Sequence, residues 1–474
     1  MRPQVHSFKA NAARALRDDQ LQQALGRAGG GFIENRARAV EALPEYEALR
    51  RRAREIKEHT LDHLDLYLER LEGKVEAAGG RVHWAETAAE ARDLVIALCR
   101  AEGARRIIKG KSMVGEEIGL NPALEGAGLK VVETDLGEYI IQLAGEPPSH
   151  IIAPAVHKSR DQIARLFREH HGALGLTGPL ETVASIVDEA RRVLRGRFVE
   201  ADLGITGANF LIAETGSVVL VTNEGNGDLT ATLPRTHVVV AGIDKLVPTL
   251  EDASVLLRLL GRSATGQEIT AYTSWYTGPR RPSDPDGPQR FHLVLVDNGR
   301  SAMLDSPLRD MLRCIRCGAC MNHCPVYGAV GGHAYGWVYP GPMGSVLTPW
   351  LLGLEEAAVL PEASTLCGRC EEVCPMGIPL PSLLRELRFQ AFEGRVTPRR
   401  SRLAVRAWAA LALRPALYRL LTGLGARMLR LMGGRRGRLR RVPLASGWTA
   451  ARDLPAPEGR TFFARWNRGD HDRP

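Results

Sequence analysis

The chain has 474 residues, of which 44% are apolar, so we expect two to four structural units with a substantial core. Its first residues lack the apolar centre of a secretion signal, and no segment approaches about eighteen uncharged apolar residues, which argues against export and against a membrane span and indicates a cytoplasmic protein. The net charge of +9 is local: residues 391–441 contribute +13 with fourteen arginines and one acid, the remainder carries −4, and no recognition module suggests nucleic-acid binding.

The first 69 residues are predicted to form a helical N-terminal region. Gly29, Gly30 and Gly31 are expected to separate a first helix from a long charged one, which ends near Gly79 and Gly80. Because glycine is a poor residue for a helix interior, three in a row indicate a break between the two helices.

From there to about residue 300, strands and helices alternate. The segments RVHWAE, RRIIKGK and KVVETD are predicted strands with helices between them, which indicates an α/β domain of parallel strands and crossover helices over 70–300. A helical stretch is expected at about 157–195. The segments NFLIA and SVVLVTN, joined by the turn AETGS, predict a hairpin, and HVVVAGI and FHLVLVD predict two further buried strands.

Two polar segments of this α/β domain are candidate sites. Lys109, Lys111 and Ser112 follow a strand and open a helix, so backbone amides and two ammonium groups would hold an anion there. A helix N-cap at Ser112 with solvated lysines explains the same residues. Glu214 lies between two buried apolar runs, where its pKa would rise and suit acid–base work, although turn chemistry explains it equally. No nucleotide, flavin or nicotinamide motif was found.

Seven of the eight cysteines lie in the region that follows, 301–395. The first four have the spacing CxxCxxCxxxCP, by which a tight turn wraps three thiolates around one iron–sulfur cube and sends the fourth to a neighbouring cube. A zinc site needs four ligands and does not require the CxxCxxCxxxCP spacing. Disulfides are not expected in a chain without a secretion signal. Crossed ligation predicts Cys314, Cys317, Cys320 and Cys374 on the first cluster, and Cys324, Cys367 and Cys370 on the second.

The second cysteine set is one thiolate short. A full second motif would have a cysteine three residues before Cys367, where this chain has Ser364. Three alternatives follow: a four-iron cluster with a non-cysteine ligand such as Ser364 or water, a four-iron cluster open at one iron, or a three-iron cluster. The spacing does not choose among them. The eighth cysteine, Cys99, lies on the apolar face of a predicted helix, which indicates a buried inert thiol.

The last segment, 396–474, is predicted to be a basic helical C-terminal extension. Between 396 and 441, arginine alternates with leucine, alanine and tryptophan at helical spacing, as in amphipathic helices that lie on an anionic bilayer or on an acidic partner. The same pattern fits a solvated helix pair that packs on its own protein. Peripheral contact with the inner face of the membrane is therefore one of two interpretations.

Several segments, taken in this order, resemble one protein family. KGKSMVGEEIGLNPALEGAGLKVVETDLGEYIIQL, ITGANFLIAETGSVVLVTNEGN, CIRCGACMNHCPVY and LCGRCEEVCPMGIPL are similar to lactate utilization protein B, the iron–sulfur subunit of a bacterial three-protein L-lactate oxidation system. The resemblance implies an α/β lactate-utilization domain similar in fold to the ribose-phosphate isomerase and CoA-transferase group, followed by an α-helical two-cluster ferredoxin-type domain. It also implies two [4Fe-4S] clusters on the same cysteine sets, and companion subunits as partners.

Together, these patterns predict an electron-transfer subunit. It would accept electrons released when L-lactate becomes pyruvate and pass them to an acceptor that the sequence does not identify; no catalytic residue of its own is predicted. One alternative is the same role for glycolate or another 2-hydroxy acid. The other is an enzyme acting on an acyl or phosphorylated anion through Lys109, Lys111 and Glu214, with structural clusters.

Overall fold

The computed structural model describes residues 3–175, 178–442, 449 and 452–467. These residues belong to two compact units, Met1–Ala391 and Phe392–Pro474. Parts of the predicted C-terminal extension, namely 443–448, 450–451 and 468–474, lie outside the described residues. The domain boundaries near 70, 300 and 396 stay a prediction.

Ten strands lie in the described part of the first unit. They are β1 (Arg81–Ala85), β2 (Arg106–Lys109), β3 (Lys130–Glu133), β4 (Leu203–Thr206), β5 (Phe210–Ile212), β6 (Ser217–Thr222), β7 (Thr236–Gly242), β8 (Leu246–Val247), β9 (Tyr272–Tyr276) and β10 (Arg290–Val296). Six of them form one sheet in the order β1-β10-β7-β4-β2-β3, and every pairing in it is parallel. The predicted parallel α/β architecture is therefore confirmed.

The central strands are continuous apolar runs because both faces of the parallel sheet are covered. Leu293 of β10 lies opposite Val239 of β7, and Val238 of β7 lies opposite Ile205 of β4. The predicted hairpin is also present: β5 and β6 pair antiparallel, within a second sheet of order β8-β5-β6-β9.

Within the described residues up to Glu393 there are twenty α-helices. They are α1 (Phe8–Ala15), α2 (Asp19–Glu41), α3 (Tyr46–Asp62), α4 (Leu64–Ala77), α5 (Ala88–Ala101), α6 (Met113–Glu117), α7 (Leu120–Gly126), α8 (Leu136–Ala144), α9 (Arg160–His171), α10 (Val183–Val199), α11 (Asn226–Thr232), α12 (Leu250–Ala264), α13 (Arg300–Leu304), α14 (Ala319–Asn322), α15 (Pro325–Val330), α16 (Gly341–Leu352), α17 (Leu354–Ala357), α18 (Val359–Glu362), α19 (Arg369–Glu372) and α20 (Leu380–Glu393). The helical stretch expected at 157–195 is two helices, α9 and α10, with a short 3-10 turn following the first.

The predicted break at Gly29, Gly30 and Gly31 is wrong, because α2 runs through all three residues. Asp18 caps this helix by accepting a hydrogen bond from the N–H of Leu21 at 3.0 Å. Each glycine costs an isolated helix about 1 kcal/mol. Packing of the helix within the first unit outweighs that local cost, since most helical stability in proteins comes from tertiary contacts.

The N-terminal helices share one apolar core with the cysteine region. This core joins Val5 and Tyr46 of the N-terminal region to Leu256 of α12, and to Met311 and Leu384 beside the cysteine motifs. The helices before the α/β domain are thus part of the scaffold that surrounds the cysteines.

The second unit contains two long helices, α21 (Arg399–Ala412) and α22 (Pro415–Gly433), a short helix α23 (Phe462–Trp466), and the antiparallel pair β11 (Arg438–Leu439) and β12 (Leu454–Pro455). Helix α21 contains no buried residue, and α22 buries only Gly433. In the described part of the chain, no helix combines the length and the apolar character that crossing a bilayer would require.

Candidate iron–sulfur centre and adjoining cavity

The first cysteine motif forms a tight turn that begins at Cys314, directly after a 3-10 helix, and ends in α14. Arg316 and Gly318, on either side of Cys317, both have positive φ angles of 59° and 76°. Left-handed backbone is rare for arginine and ordinary for glycine, and here it reverses the chain twice within three residues. Cys314, Cys317 and Cys320 consequently line one small cavity.

The second cysteine motif repeats this turn. Leu366 and Gly368 flank Cys367 with positive φ angles of 56° and 86°, and the short helix α19 follows as α14 does in the first motif. The sulfur of Cys314 accepts a hydrogen bond from the N–H of Arg316 at 3.4 Å, and the hydroxyl oxygen of Ser364 accepts one from Leu366 at 3.1 Å. Ser364 therefore takes the position of the first cysteine in the second turn.

Four of the seven clustered cysteines lie at one cavity. Cys374, which is distant in sequence, lines the same cavity as Cys314, Cys317 and Cys320. Burial raises the pKa of the Cys317 thiol, and Cys374 and Cys314 raise it further. Burial likewise raises the pKa of Cys370 to about 12, with the charge of Cys324 as the next cause. Cys324 and Cys367 are the thiols whose charges act on Cys370, and none of these three lines the first cavity.

These surroundings fit a metal cluster that binds thiolates. Apart from sulfur, the first cavity is lined mainly by apolar side chains, among them Ile151, Met311 and Met343. Thiols in such a setting are protonated at neutral pH, because burial disfavours their charged form. Iron would supply the compensating positive charge, as in other sites where metal binding displaces thiol protons. Cys367 differs, because the N–H of Arg369 lowers its pKa.

The turn around Cys374 is held by side chains that sequence reasoning missed. Arg50 of α3 donates two hydrogen bonds to the carbonyl oxygen of Cys374, at 2.8 and 3.2 Å. Arg36 of α2 donates to the carbonyl of Val373 at 3.0 Å. No local pattern marks these two arginines, because their targets lie more than three hundred residues away in sequence.

A second, larger cavity of about 260 Å³ lies at the carboxyl ends of the parallel strands. Gly110 to Ser112 after β2, Asp135 after β3 and Thr206 to Asn209 at the end of β4 line it. The chain runs from β2 to the edge strand β3 and then back to β4 on the other side of β2. Such a reversal of strand order opens a crevice in which open α/β sheets bind ligands.

The structure places two of the four residues of the predicted anion site in the large cavity. Lys111 and Ser112 line the large cavity, and Ser112 caps α6 by accepting from the N–H of Gly115 at 3.1 Å. Lys109 does not line this cavity; its Nζ lies beside Gly115 of α6 and 2.7 Å from Oε1 of Glu133. Glu214 accepts a hydrogen bond from the N–H of Leu250 at 3.0 Å, at the start of α12, where a carboxylate complements the helix dipole.

The remaining thiol, Cys99, is buried in α5 among the apolar residues under the sheet. Burial raises its pKa to about 12. A protonated thiol in an apolar environment is a poor nucleophile and a poor metal ligand. Cys99 is therefore the natural control for the seven clustered cysteines.

Three family models match successive parts of the chain. The LUD domain matches residues 68–296, the 4Fe-4S dicluster domain matches 310–378, and the C-terminal part of lactate utilisation protein B matches 392–470. The second match shows that the cysteine region is an iron–sulfur domain.

Several proteins are similar over almost their whole length. Lactate utilization protein B of Shouchella clausii (strain KSM-K16) is 44% identical over 471 residues, which covers 98% of either chain. The uncharacterized electron transport protein YkgF of Escherichia coli (strain K12) is 44% identical over 462 residues, covering 96% of this chain and 95% of that protein. A crystal structure of a DUF162 family protein from Deinococcus radiodurans covers 49% of this chain and 98% of that chain at 16% identity, with a TM-score of 0.28, which is too low to support an argument. The full-length identities show that the chain belongs to the lactate utilization protein B family.

Proposed function

We propose that this chain is the iron–sulfur electron-transfer subunit of a multi-subunit system that oxidises L-lactate to pyruvate. The observation that supports the proposal is that Cys374 lines the same cavity as Cys314, Cys317 and Cys320. This cavity lies in a region that matches the 4Fe-4S dicluster model. The assignment to lactate rests on the names of the full-length relatives, which also imply companion subunits.

The proposed cofactors are two [4Fe-4S] clusters with crossed ligands. The first would be held by Cys314, Cys317, Cys320 and Cys374, and the second by Cys324, Cys367 and Cys370. When bound, such clusters supply one-electron transfer. The protein's own contribution is to bind them through thiolates, to exclude water with apolar side chains, and to fix the Cys374 turn through Arg50.

The fourth ligand of the second cluster is proposed to be the hydroxyl oxygen of Ser364. Its support is the shared geometry of the two turns, in which the N–H two residues further on donates to Ser364 as it donates to Cys314. Oxygen is a harder ligand than sulfur, so this iron would be the one most readily lost.

An independent enzyme in the α/β domain is not favoured. Its proposed residues do not form one site, since Lys109 is paired with Glu133 and Glu214 caps a helix. Only Lys111 lines the cavity among the three residues assigned to that chemistry.

Contact with an anionic membrane surface is proposed for helices α21 and α22. Seven of the fourteen arginines of residues 391–441 lie in these two helices. The apolar residues Trp408 of α21, Leu413 between the helices and Leu420 of α22 are 62%, 82% and 59% exposed. Amphipathic helices of this composition bind anionic bilayers through burial of apolar side chains and attraction to the headgroups.

The function is tested with the full chain, purified without oxygen and mixed with its companion subunits. L-lactate is expected to bleach the visible iron–sulfur absorption when the companions are present, and to leave it unchanged when they are absent. D-lactate and glycolate serve as comparison substrates. Faster bleaching by glycolate would replace the lactate assignment with the other 2-hydroxy acid, and a preparation that binds no iron after reconstitution would end the electron-transfer proposal.

A further inference from the structure

The large cavity at the carboxyl ends of the strands shares a wall with the cysteine cavity. Ile151 and Arg316 line both. Arg316 belongs to the first cysteine motif, so the iron–sulfur site and the α/β domain meet at this residue. A ligand in the large cavity would lie beside the proposed first cluster.

Arg316 has unused hydrogen-bonding capacity at this wall. Its side chain is only 9% exposed, and its nearest carboxylate oxygen, Oδ2 of Asp244, lies 3.7 Å away. Its Nη1 has no hydrogen-bond partner among the described residues. A buried guanidinium nitrogen without an acceptor is costly, and an anion in the cavity would satisfy it.

Lys245 is a second buried cationic side chain without a hydrogen-bond acceptor among the described residues. It follows β7 at the carboxyl end of the sheet, is 8% exposed and lines the large cavity. Within the described part of the chain its ammonium has neither an acceptor nor an ion-pair partner. Burial lowers its pKa to about 8, and Asp244 offsets this only in part.

Two buried carboxylates behind the cavity lining pair with Arg300, although Oδ2 of Asp244 accepts no hydrogen bond from the described residues. Asp244 accepts a hydrogen bond from Arg300 at 2.7 Å, and Glu117 accepts two from the same guanidinium at 2.8 and 2.9 Å. Lys57 also lies here and donates to the carbonyl oxygens of Asp244 and Leu246. The cavity itself is lined by three cationic side chains, Lys111, Lys245 and Arg316, and by two carboxylates, Asp135 and Glu224. Behind the lining, Arg300 and Lys57 match Asp244 and Glu117 in number, so one positive charge remains in excess.

The thiolates of the neighbouring cluster are the other group that this positive charge could balance. Arg316 lines both cavities, and the charge of Cys314 raises the pKa of both Arg316 and Lys245. Lys245 lines the large cavity and is not part of the described lining of the cysteine cavity. The assignment of a ligand therefore depends chiefly on Lys245.

From this geometry we infer that the large cavity binds a small carboxylate anion, with its charged end at Lys245 and Arg316. The volume of about 260 Å³ lies just below the roughly 300–1,000 Å³ of typical ligand pockets, which suits a 2-hydroxy or 2-oxo acid and not a dinucleotide. The choice of acid rests on the proposed function. The lining also contains the polar side chains of Asn209, Thr222 and Gln267 as candidate hydrogen-bond partners for a hydroxyl or keto group.

The test measures binding to the reconstituted full chain by calorimetry, with L-lactate, pyruvate and inorganic phosphate as separate probes. At least one of the two carboxylates is expected to bind, and Lys245→Gln is expected to weaken that binding at least tenfold. Lys111→Gln, which keeps a donor for the carbonyl of Ile152, is expected to weaken it about threefold or more. Lys130→Gln, at an exposed position at the start of β3, is the control and should match the unchanged chain.

A second measurement uses the position of the cavity. EPR spectra of the reduced chain should change on addition of the bound carboxylate for the cluster held by Cys314, and stay unchanged for the other. If Lys245→Gln does not fold, Lys111→Gln and this spectral change decide the question. The inference would be overturned if neither carboxylate binds, or if phosphate binds more tightly than the carboxylates. It would also be overturned if Lys245→Gln and Lys111→Gln bind as tightly as the unchanged chain.

Failure of this site and failure of the proposed function are distinguishable. Lactate-dependent bleaching with companion subunits, in a chain that binds no carboxylate, would retain the function and remove the site. Carboxylate binding without lactate-dependent bleaching would retain the site and remove the proposed function.

Discussion

Ser364 and Cys314 occupy equivalent positions in two turns of the same backbone geometry. Each side-chain atom accepts a hydrogen bond from the N–H two residues further along, at 3.1 Å for the Ser364 oxygen and 3.4 Å for the Cys314 sulfur. In both turns that donor residue has a positive φ angle. The second motif has thus kept the shape of a four-ligand turn while one sulfur is replaced by oxygen.

The first prediction concerns this oxygen. Ser364→Ala should release one iron, so that iron content falls from about eight to about seven per chain and an oxidised three-iron EPR signal appears. Ser364→Cys should restore a full set of thiolates and slow cluster loss in air. Ser254→Ala, at an exposed serine of α12, is the matched control. An unchanged iron content in Ser364→Ala would show that the hydroxyl is not a ligand.

The second prediction tests the crossed ligand sets. Cys374→Ser should damage the cluster held by Cys314, Cys317 and Cys320, despite the gap in sequence, because Cys374 lines their cavity. Cys324→Ser should damage the other cluster. EPR of the reduced proteins separates the two signals, and Cys99→Ala should leave both intact. If Cys374→Ser and Cys324→Ser lose the same EPR signal, the crossed ligand sets are wrong.

The strands and the cysteine turns were predictable because their signals are local. Apolar runs such as HVVVAGI mark buried parallel strands, and the CxxC spacing specifies a turn within a few residues. The ligand sets themselves stay a prediction. Gly29 to Gly31 misled the prediction, since helix propensity is a weak preference that packing overrides.

The adjoining cavity was only partly predictable. Lys111 and Ser112 were identified from the strand-to-helix pattern, and both line it. Lys245 and Arg316 were not, because their importance comes from meeting across the fold and from lacking partners there. Glu214 looked equally suitable in sequence, but its carboxylate is used to cap α12.

The third prediction concerns a buried ion-pair group that joins the α/β domain to the cysteine region. Arg300 pairs with Glu117 and Asp244, and the hydroxyl of Tyr339 donates to Glu117 at 2.7 Å. Arg300→Met would leave the buried Glu117 without its ion-pair partner and remove one of the cations around Asp244, which costs about 3–5 kcal/mol of unfolding free energy.

Urea unfolding, followed by tryptophan fluorescence, measures this change. Arg192→Met removes an exposed pair with Asp188 on α10 and should cost less than about 1 kcal/mol. A loss in Arg300→Met as small as that of the control would contradict the importance of the buried group.

The fourth prediction concerns helices α21 and α22. The full chain should co-sediment with phosphatidylglycerol vesicles and not with phosphatidylcholine vesicles, and high salt should weaken the binding because it screens the arginines. Trp408→Glu and Leu413→Glu should each reduce binding at least tenfold. Val199→Glu places the same charge at a position on α10 that is 76% exposed and should have no effect. Equal binding by all three variants would remove the membrane proposal.

The fifth prediction concerns acid stability and His237. Burial in the central strand β7 lowers its pKa to about 3, and its Nε2 lies 2.8 Å from the hydroxyl of Thr206. In the unfolded chain the same imidazole has a pKa near 6.5. Between these values the unfolded state takes up a proton and the folded state does not, so stability is complete above about pH 6.5 and falls as the pH drops.

This contribution amounts to about 1.4 kcal/mol per pH unit, or about 2 kcal/mol at pH 5. His237→Gln keeps an amide near Thr206 and cannot titrate, so it should lose about that much less stability than the unchanged chain between pH 7 and pH 5. Urea midpoints at the two pH values, measured without oxygen for both proteins, give the comparison. Other buried histidines, such as His150, contribute equally to both proteins and cancel in the difference. Parallel losses in the two proteins would show that His237 accepts its proton in the folded state, which would require water to reach the centre of the sheet.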